Sequence, residues 1–86
     1  MYSLEIEEEV SKTFKKLFKK DKKQLEAINR KIEQILIDPF AFKPLRHPME
    51  SLRRVHIGPF VLIYQVVEDP PTVKIVKYKH HDEAYL

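Results

Sequence analysis

The 86-residue sequence contains no cysteine, which excludes a disulfide framework, a thiolate zinc site and a cysteine nucleophile. The absence also fits a reducing cytoplasm. Tryptophan is missing too, and the single glycine, Gly58, excludes the glycine-rich loops that cradle nucleotide phosphates. Neither a nucleophile elbow nor an HExxH helix is present. No apolar run approaches the roughly 20 residues that span a bilayer. The start, MYSLEIEEEV, is acidic where a secretory signal is basic. These absences predict a small cytoplasmic domain over residues 1–86 with no membrane segment. A chain of this length has no room for a deep cleft between domains, so an active site is expected on an open face or groove.

What the sequence does have is charge, unevenly placed. Sixteen Lys and Arg against 13 Asp and Glu give a net charge of +3, and the 43% hydrophobic content is that of a folded chain. Lys12 to Lys23 holds seven Lys and one Asp, and Lys43 to Arg54 adds one Lys and three Arg against Glu50. Lys74 to His81 has three Lys, two His and no acid. This asymmetry favours a polyanionic or acidic partner, although a lysine-rich helix also arises as a plain solvated face.

Tyr2, Leu4 and Ile6 alternate with polar residues, the pattern of a short half-buried strand at a sheet edge. Glu7 to Glu9 then open a helix, where the dipole favours acids, with Val10, Phe14, Leu17 and Phe18 as its apolar face. Asp21 is a candidate N-cap for a second helix striped by Leu25, Ile28, Ile32, Ile35 and Leu36 and ended by Asp38-Pro39. So short a link predicts a helical hairpin. Three prolines between Pro39 and Met49 favour an extended connection. Leu52 to Ile57 alternates as a strand, and Gly58-Pro59 turns into the apolar run Phe60 to Val67, which predicts a strand buried on both faces. Asp69-Pro70-Pro71 turns again into Val73 to Tyr78. The expected fold is a small α+β domain of order β-α-α-β-β-β, with a three-stranded antiparallel meander covered by the helices.

Alternation places Leu52, Arg54 and His56 on one face of the first meander strand, and Val55 and Ile57 on the core side. Arg54 and His56 are therefore either neighbours able to share a ligand or ordinary surface cations. The run Lys77, Tyr78, Lys79, His80, His81, followed by Asp82 and Tyr85, is a second concentration of chemistry, or else a solvated tail. Adjacent histidines in extended chain point apart, which disfavours a metal pair; no metal or cofactor is expected. An inventory of Arg, Lys, His and Tyr suits RNA cleavage by attack of the ribose 2′-OH on the adjacent phosphate. That reaction needs a general base, an acid for the leaving 5′-oxygen and cations for the added negative charge. DNA lacks the 2′-OH and cannot react this way.

The order of elements and the C-terminal half resemble the RelE/ParE superfamily of toxin–antitoxin toxins, nearest its archaeal RelE branch. Lys43-Pro44-Leu45-Arg46 resembles the family's K-x-L-R segment, and Leu52 to Tyr64 (LRRVHIGPFVLIY) resembles its yRlRvGdyRviY hairpin. Lys79 to Tyr85 (KHHDEAY) resembles its HRxxvY ending. Carried over, Arg54 takes a basic position before the turn, and His56 stands where the family usually has arginine before the glycine. His80 and His81 take the His-Arg pair, Lys79 lies close to a basic position of the RelE subgroup, and Tyr85 matches the tyrosine that stacks on a base or assists proton transfer. Val61 replaces the arginine after the turn that in many members contacts the scissile phosphate, and His81 replaces another arginine. The identity of the acid and the base is thereby left open.

The resemblance implies an endoribonuclease toxin that cuts mRNA in the ribosomal A site without a metal, using Arg54, His56, Lys79, His80, His81 and Tyr85. Lys43, Arg46, Arg53, Lys15, Lys19 and Lys22 would contact ribosomal RNA or mRNA. It further implies a RelB-type antitoxin that wraps the basic surface. Two alternatives remain: a ParE-like inhibitor that binds DNA gyrase, and a nucleic-acid-binding module of the same fold that has lost its activity.

Overall fold

Asp21 alone separates two helices and serves both. Its backbone N–H donates to Leu17 O (2.8 Å), closing the first helix, while its Oδ1 accepts from Gln24 N (3.1 Å), capping the second. In a computed structural model that describes residues 1–84, the elements run β1 (Ser3–Ile6), α1 (Glu8–Lys20), α2 (Lys22–Ile37), β2 (Leu52–Ile57), β3 (Phe60–Glu68) and β4 (Pro71–His80). This is the expected small α+β order. The strands form one sheet in the order β1-β4-β3-β2, with β1 parallel to β4 at the edge and β2-β3-β4 an antiparallel meander. Among the described residues no helix is long and apolar enough to cross a membrane.

The two meander turns follow from their residues. Ile57 pairs with Phe60, leaving Gly58 and Pro59 as a two-residue loop, and Gly58 adopts φ of +58°. Proline cannot take a positive φ at the second loop position, so the hairpin uses a type II′ turn, whose first position favours glycine. Glu68 pairs with Pro71 across Asp69-Pro70. Strand β4 runs further at both ends than Val73 to Tyr78, because β3 offers partners as far as Phe60, which pairs with His80.

The helices cover one face of the sheet. Val10, Phe14, Ile28, Ile32 and Ile35 pack there against Val55, Ile57, Leu62, Tyr64, Val73, Ile75 and Tyr78. Two expected members of this layer stay outside it. Phe18 is 59% exposed, because Leu17 and Phe18 differ by about 100° around the helix and the narrow stripe takes Leu17. The Lys22 ammonium lies 5.1 Å from the Phe18 ring centre instead. Leu4, on the edge strand, is also exposed, whereas Tyr2 and Ile6 pack against the core.

The opposite, outer face carries a second small core of Leu45, Val61, Ile63 and Ala84, flanked by Leu52 and Val76. β3 is thus buried on both sides, as its apolar run predicts. The cover on this face comes from the chain between α2 and β2 and from the turn after β4. Residues 43–45 run beside β2, with Arg54 N donating to Lys43 O (3.1 Å), Leu45 N to Leu52 O (2.9 Å) and a bridge between Pro44 and Arg53. Tyr64, fully buried on the helix face, anchors the start of the same connection by donating to Pro39 O at 2.7 Å.

Candidate functional site

Strand pairing settles which side chains share the outer face. Across β2, β3 and β4 one row reads His56, Val61, Lys79 and the next reads Arg54, Ile63, Lys77. Directly paired residues share a face, so four cationic or titratable side chains surround the apolar pair Val61 and Ile63. Strands lie about 4.8 Å apart, which separates His56 from Lys79, and Arg54 from Lys77, by about 10 Å across the sheet.

A β-bulge makes this arrangement possible. Ile63 pairs with Lys77 but Tyr64 pairs with Ile75, so Val76 is an extra residue in β4. Strict alternation from the buried Val73 and Ile75 would turn Lys77 and Lys79 toward the helices. The bulge instead sends Val76, Lys77 and Lys79 outward and keeps Tyr78 in the helix-side core.

The two C-terminal histidines part company. His81 follows the strand, its backbone N–H donating to Pro59 O (2.8 Å), and its ring lies 5.7 Å from that of His56 at a tilt of 32°. His80 pairs with Phe60 and meets that ring edge-on at 5.7 Å, on the helix side of the sheet. Its Nδ1 accepts from Asp82 N at 3.3 Å, so this imidazole shapes the turn after β4. Tyr85 lies outside the described residues.

Among the described residues no carboxylate pairs with Arg46, Arg54, Lys77 or Lys79. Among the described residues the outer face therefore presents positive charge with no carboxylate paired to it, next to the imidazoles of His56 and His81, with Asp82 Oδ1 3.7 Å from His81 Nδ1. Such an arrangement is suited to anion binding with proton transfer close by. Among the described residues no group of three or more His, Asp or Glu is arranged to hold a metal ion.

The remaining cations named from sequence divide into three. Lys43 and Arg46 lie exposed on the connection that flanks β2, on the side of Arg54. Arg53 faces the helices, its Nη1 donating to Phe42 O (2.7 Å) and Phe40 O (3.5 Å), with its guanidinium 5.0 Å over the Phe40 ring. It holds the connection in place. Lys15, Lys19 and Lys22 are exposed on the helices, across the sheet from Arg54 and His56.

Lys77, in the basic C-terminal run, has a structural role. Its Nζ donates to Ala84 O at 3.2 Å and so holds the turn that carries His81. No sequence signal gave this, because the bulge decides its face.

The family model for the ParE toxin of the type II toxin–antitoxin system parDE matches residues 4–85. A Methanocaldococcus jannaschii protein, provisionally named toxin RelE4, is 45% identical over 99% of this chain and 92% of its own length. The chain belongs to the RelE/ParE family of toxins. The isolated Escherichia coli RelE toxin superposes on this RelE/ParE member with a TM-score of 0.79 at 20% identity, covering 99% of this chain and 89% of that one. RelE in the archaeal RelE–RelB complex of Pyrococcus horikoshii gives 0.72 at 21% identity, covering 96% and 98%. At such identities these RelE structures share the fold with the chain, and the type II toxin assignment rests on the family match and the archaeal relative.

Proposed function

We propose that this toxin is a ribosome-dependent endoribonuclease that cuts mRNA in the A site through attack of the ribose 2′-oxygen on the adjacent phosphorus. The observation that carries the reading is the joining of Arg54, His56, Lys79 and His81 on one open face. In this reaction a 2′-oxygen–phosphorus bond forms, the bond to the 5′-oxygen breaks, and one proton moves from the 2′-OH toward the leaving oxygen. Arg54 and Lys79 hold the charge that builds on the phosphoryl oxygens. His56 and His81 serve as the proton-transfer pair, since their rings lie 5.7 Å apart, close enough to serve one phosphate. His80, on the other side of β4, acts through the turn that seats His81. Tyr85 retains the stacking role that the family resemblance gives it.

Lys43 and Arg46 extend the cationic surface along the RNA, and Lys15, Lys19 and Lys22 offer a separate basic layer to ribosomal RNA, so binding weakens steeply with salt. Arg53 supports this surface from behind. The proposed cellular partner is an antitoxin of RelB type, as in the Pyrococcus horikoshii complex, with acidic segments that cover the same charge.

The test is in vitro translation with the purified chain, mapping mRNA ends by primer extension beside a ribosome-free control. Cuts at A-site codons that appear only with ribosomes support the reading, and intact mRNA sinks it. The matching family description names ParE, and Val61 fills the place of the family arginine, which favours gyrase inhibition as the second reading. Loss of gyrase supercoiling with mRNA left intact would establish it.

A further inference from the structure

The outer face holds a recess that the cleavage chemistry leaves unused. Two adjoining cavities, of about 100 and 220 Å³, share Leu45 and Met49 from the connection between α2 and β2. The smaller is floored by Leu52, Ile63 and Val76 on the sheet; the larger opens between Arg46 and Arg54. Leu45 is buried, yet Met49 remains 43% exposed at the mouth although it sits over apolar neighbours.

The combination is selective in its chemistry. A simple anion has no use for an apolar floor, and an aliphatic side chain has no use for two guanidiniums that, among the described residues, have no carboxylate partner. A nucleobase satisfies both, because its flat face stacks on apolar and guanidinium surfaces while its own phosphate meets the cations. The polarizable Met49 thioether adapts to such a face. Arg54 borders the recess and also stands in the phosphate-binding row, so the base belongs to a nucleotide directly beside the reacting phosphate.

We infer that the recess formed by Leu45, Met49, Arg46 and Arg54 is a nucleobase subsite that sets which nucleotide the toxin accepts next to the cleaved bond. The inference rests on the RNA-cleavage reading for its biological setting.

The test uses a 2′-O-methyl trinucleotide, whose blocked 2′-oxygen allows binding to be read without cleavage, and three versions each lacking one base. Methyl NMR signals of Met49 and Leu45 follow the titration of the full chain. The expected result is that the complete trinucleotide moves both signals, and that one of the three abasic versions fails to move them and binds about tenfold more weakly. Met49→Ser is expected to bring the complete trinucleotide down to the abasic affinity. Equal binding by all four oligonucleotides with unmoved methyl signals overturns the subsite, as does movement of those signals by a partner peptide but by no oligonucleotide. The two ideas fail separately. Base-dependent binding with mRNA uncut on ribosomes removes the cleavage reading alone, whereas A-site cuts without base-dependent binding remove the subsite alone.

Discussion

The imidazole of His81 lies against that of His56, 5.7 Å between ring centres, although one follows the last strand and the other sits on the first strand of the meander. The hydrogen bond from His81 N–H to Pro59 O fixes this approach by tying the chain after β4 to the β2–β3 turn. If the two rings serve one phosphate, their effects on cleavage are coupled. His56→Ala and His81→Ala are each expected to lower ribosome-dependent cleavage by about 10²–10⁴-fold, and the double variant by little more than either alone. Multiplying losses in the double variant would show that the rings act independently.

Arg53 and Arg54 are adjacent in sequence and opposite in consequence. Arg54→Ala is expected to reduce cleavage by about 10²–10³-fold with the melting temperature nearly unchanged. Arg53→Ala frees the carbonyls of Phe40 and Phe42 and removes the contact with the Phe40 ring, so about 1–3 kcal/mol of stability is lost. Urea unfolding and primer extension on both variants separate the two effects. A folded Arg54→Ala protein that cuts at the wild-type rate contradicts the proposed role.

Lys77 works through the turn it holds. Removing its Nζ bond to Ala84 O with Lys77→Met costs about 0.5–1.5 kcal/mol and releases the segment that bears His81. Amide exchange at Glu83 and Ala84 is expected to quicken while that of the β3 amides keeps its protection. Unaltered exchange in the turn would remove the latch.

Two buried tyrosines make the fold sensitive to alkali. Burial pushes the Tyr64 and Tyr78 hydroxyls up to about 12, well above an unfolded tyrosine near 10. The neutral form is therefore favoured in the folded state. The stability it contributes is complete below about pH 10 and is lost as the pH rises toward about 12. The urea midpoint is expected to fall between these values. Tyr64→Phe leaves Pro39 O without its donor, lowering stability by about 1–3 kcal/mol at neutral pH, and it makes the alkaline decline shallower. An alkaline decline as steep in Tyr64→Phe as in the wild type would assign the effect to other groups.

Much of this architecture was legible in the residues. The stripes of α1 and α2, the Asp21 cap, the Gly58-Pro59 turn and the two-sided burial of β3 all follow from local periodicity and from backbone preferences of single residues. Arg54 and His56 fall on one face because β2 alternates without interruption. Phe18 shows the limit of periodicity, since nothing local says which of two adjacent apolar residues the stripe will take.

The sequence by itself determined the elements, their order and the supply of cations without a thiol or a glycine-rich loop, because these depend on residue type and short-range spacing. Only the tertiary structure decided which cations meet. The bulge at Val76 turns Lys77 and Lys79 toward Arg54 and His56, and the closure of the turn onto Pro59 sends His81 to their side while His80 stays with Phe60. The connection carrying Leu45 folds over the same face and builds the recess. Strand register and loop closure depend on contacts between residues far apart in the chain, which no local pattern encodes.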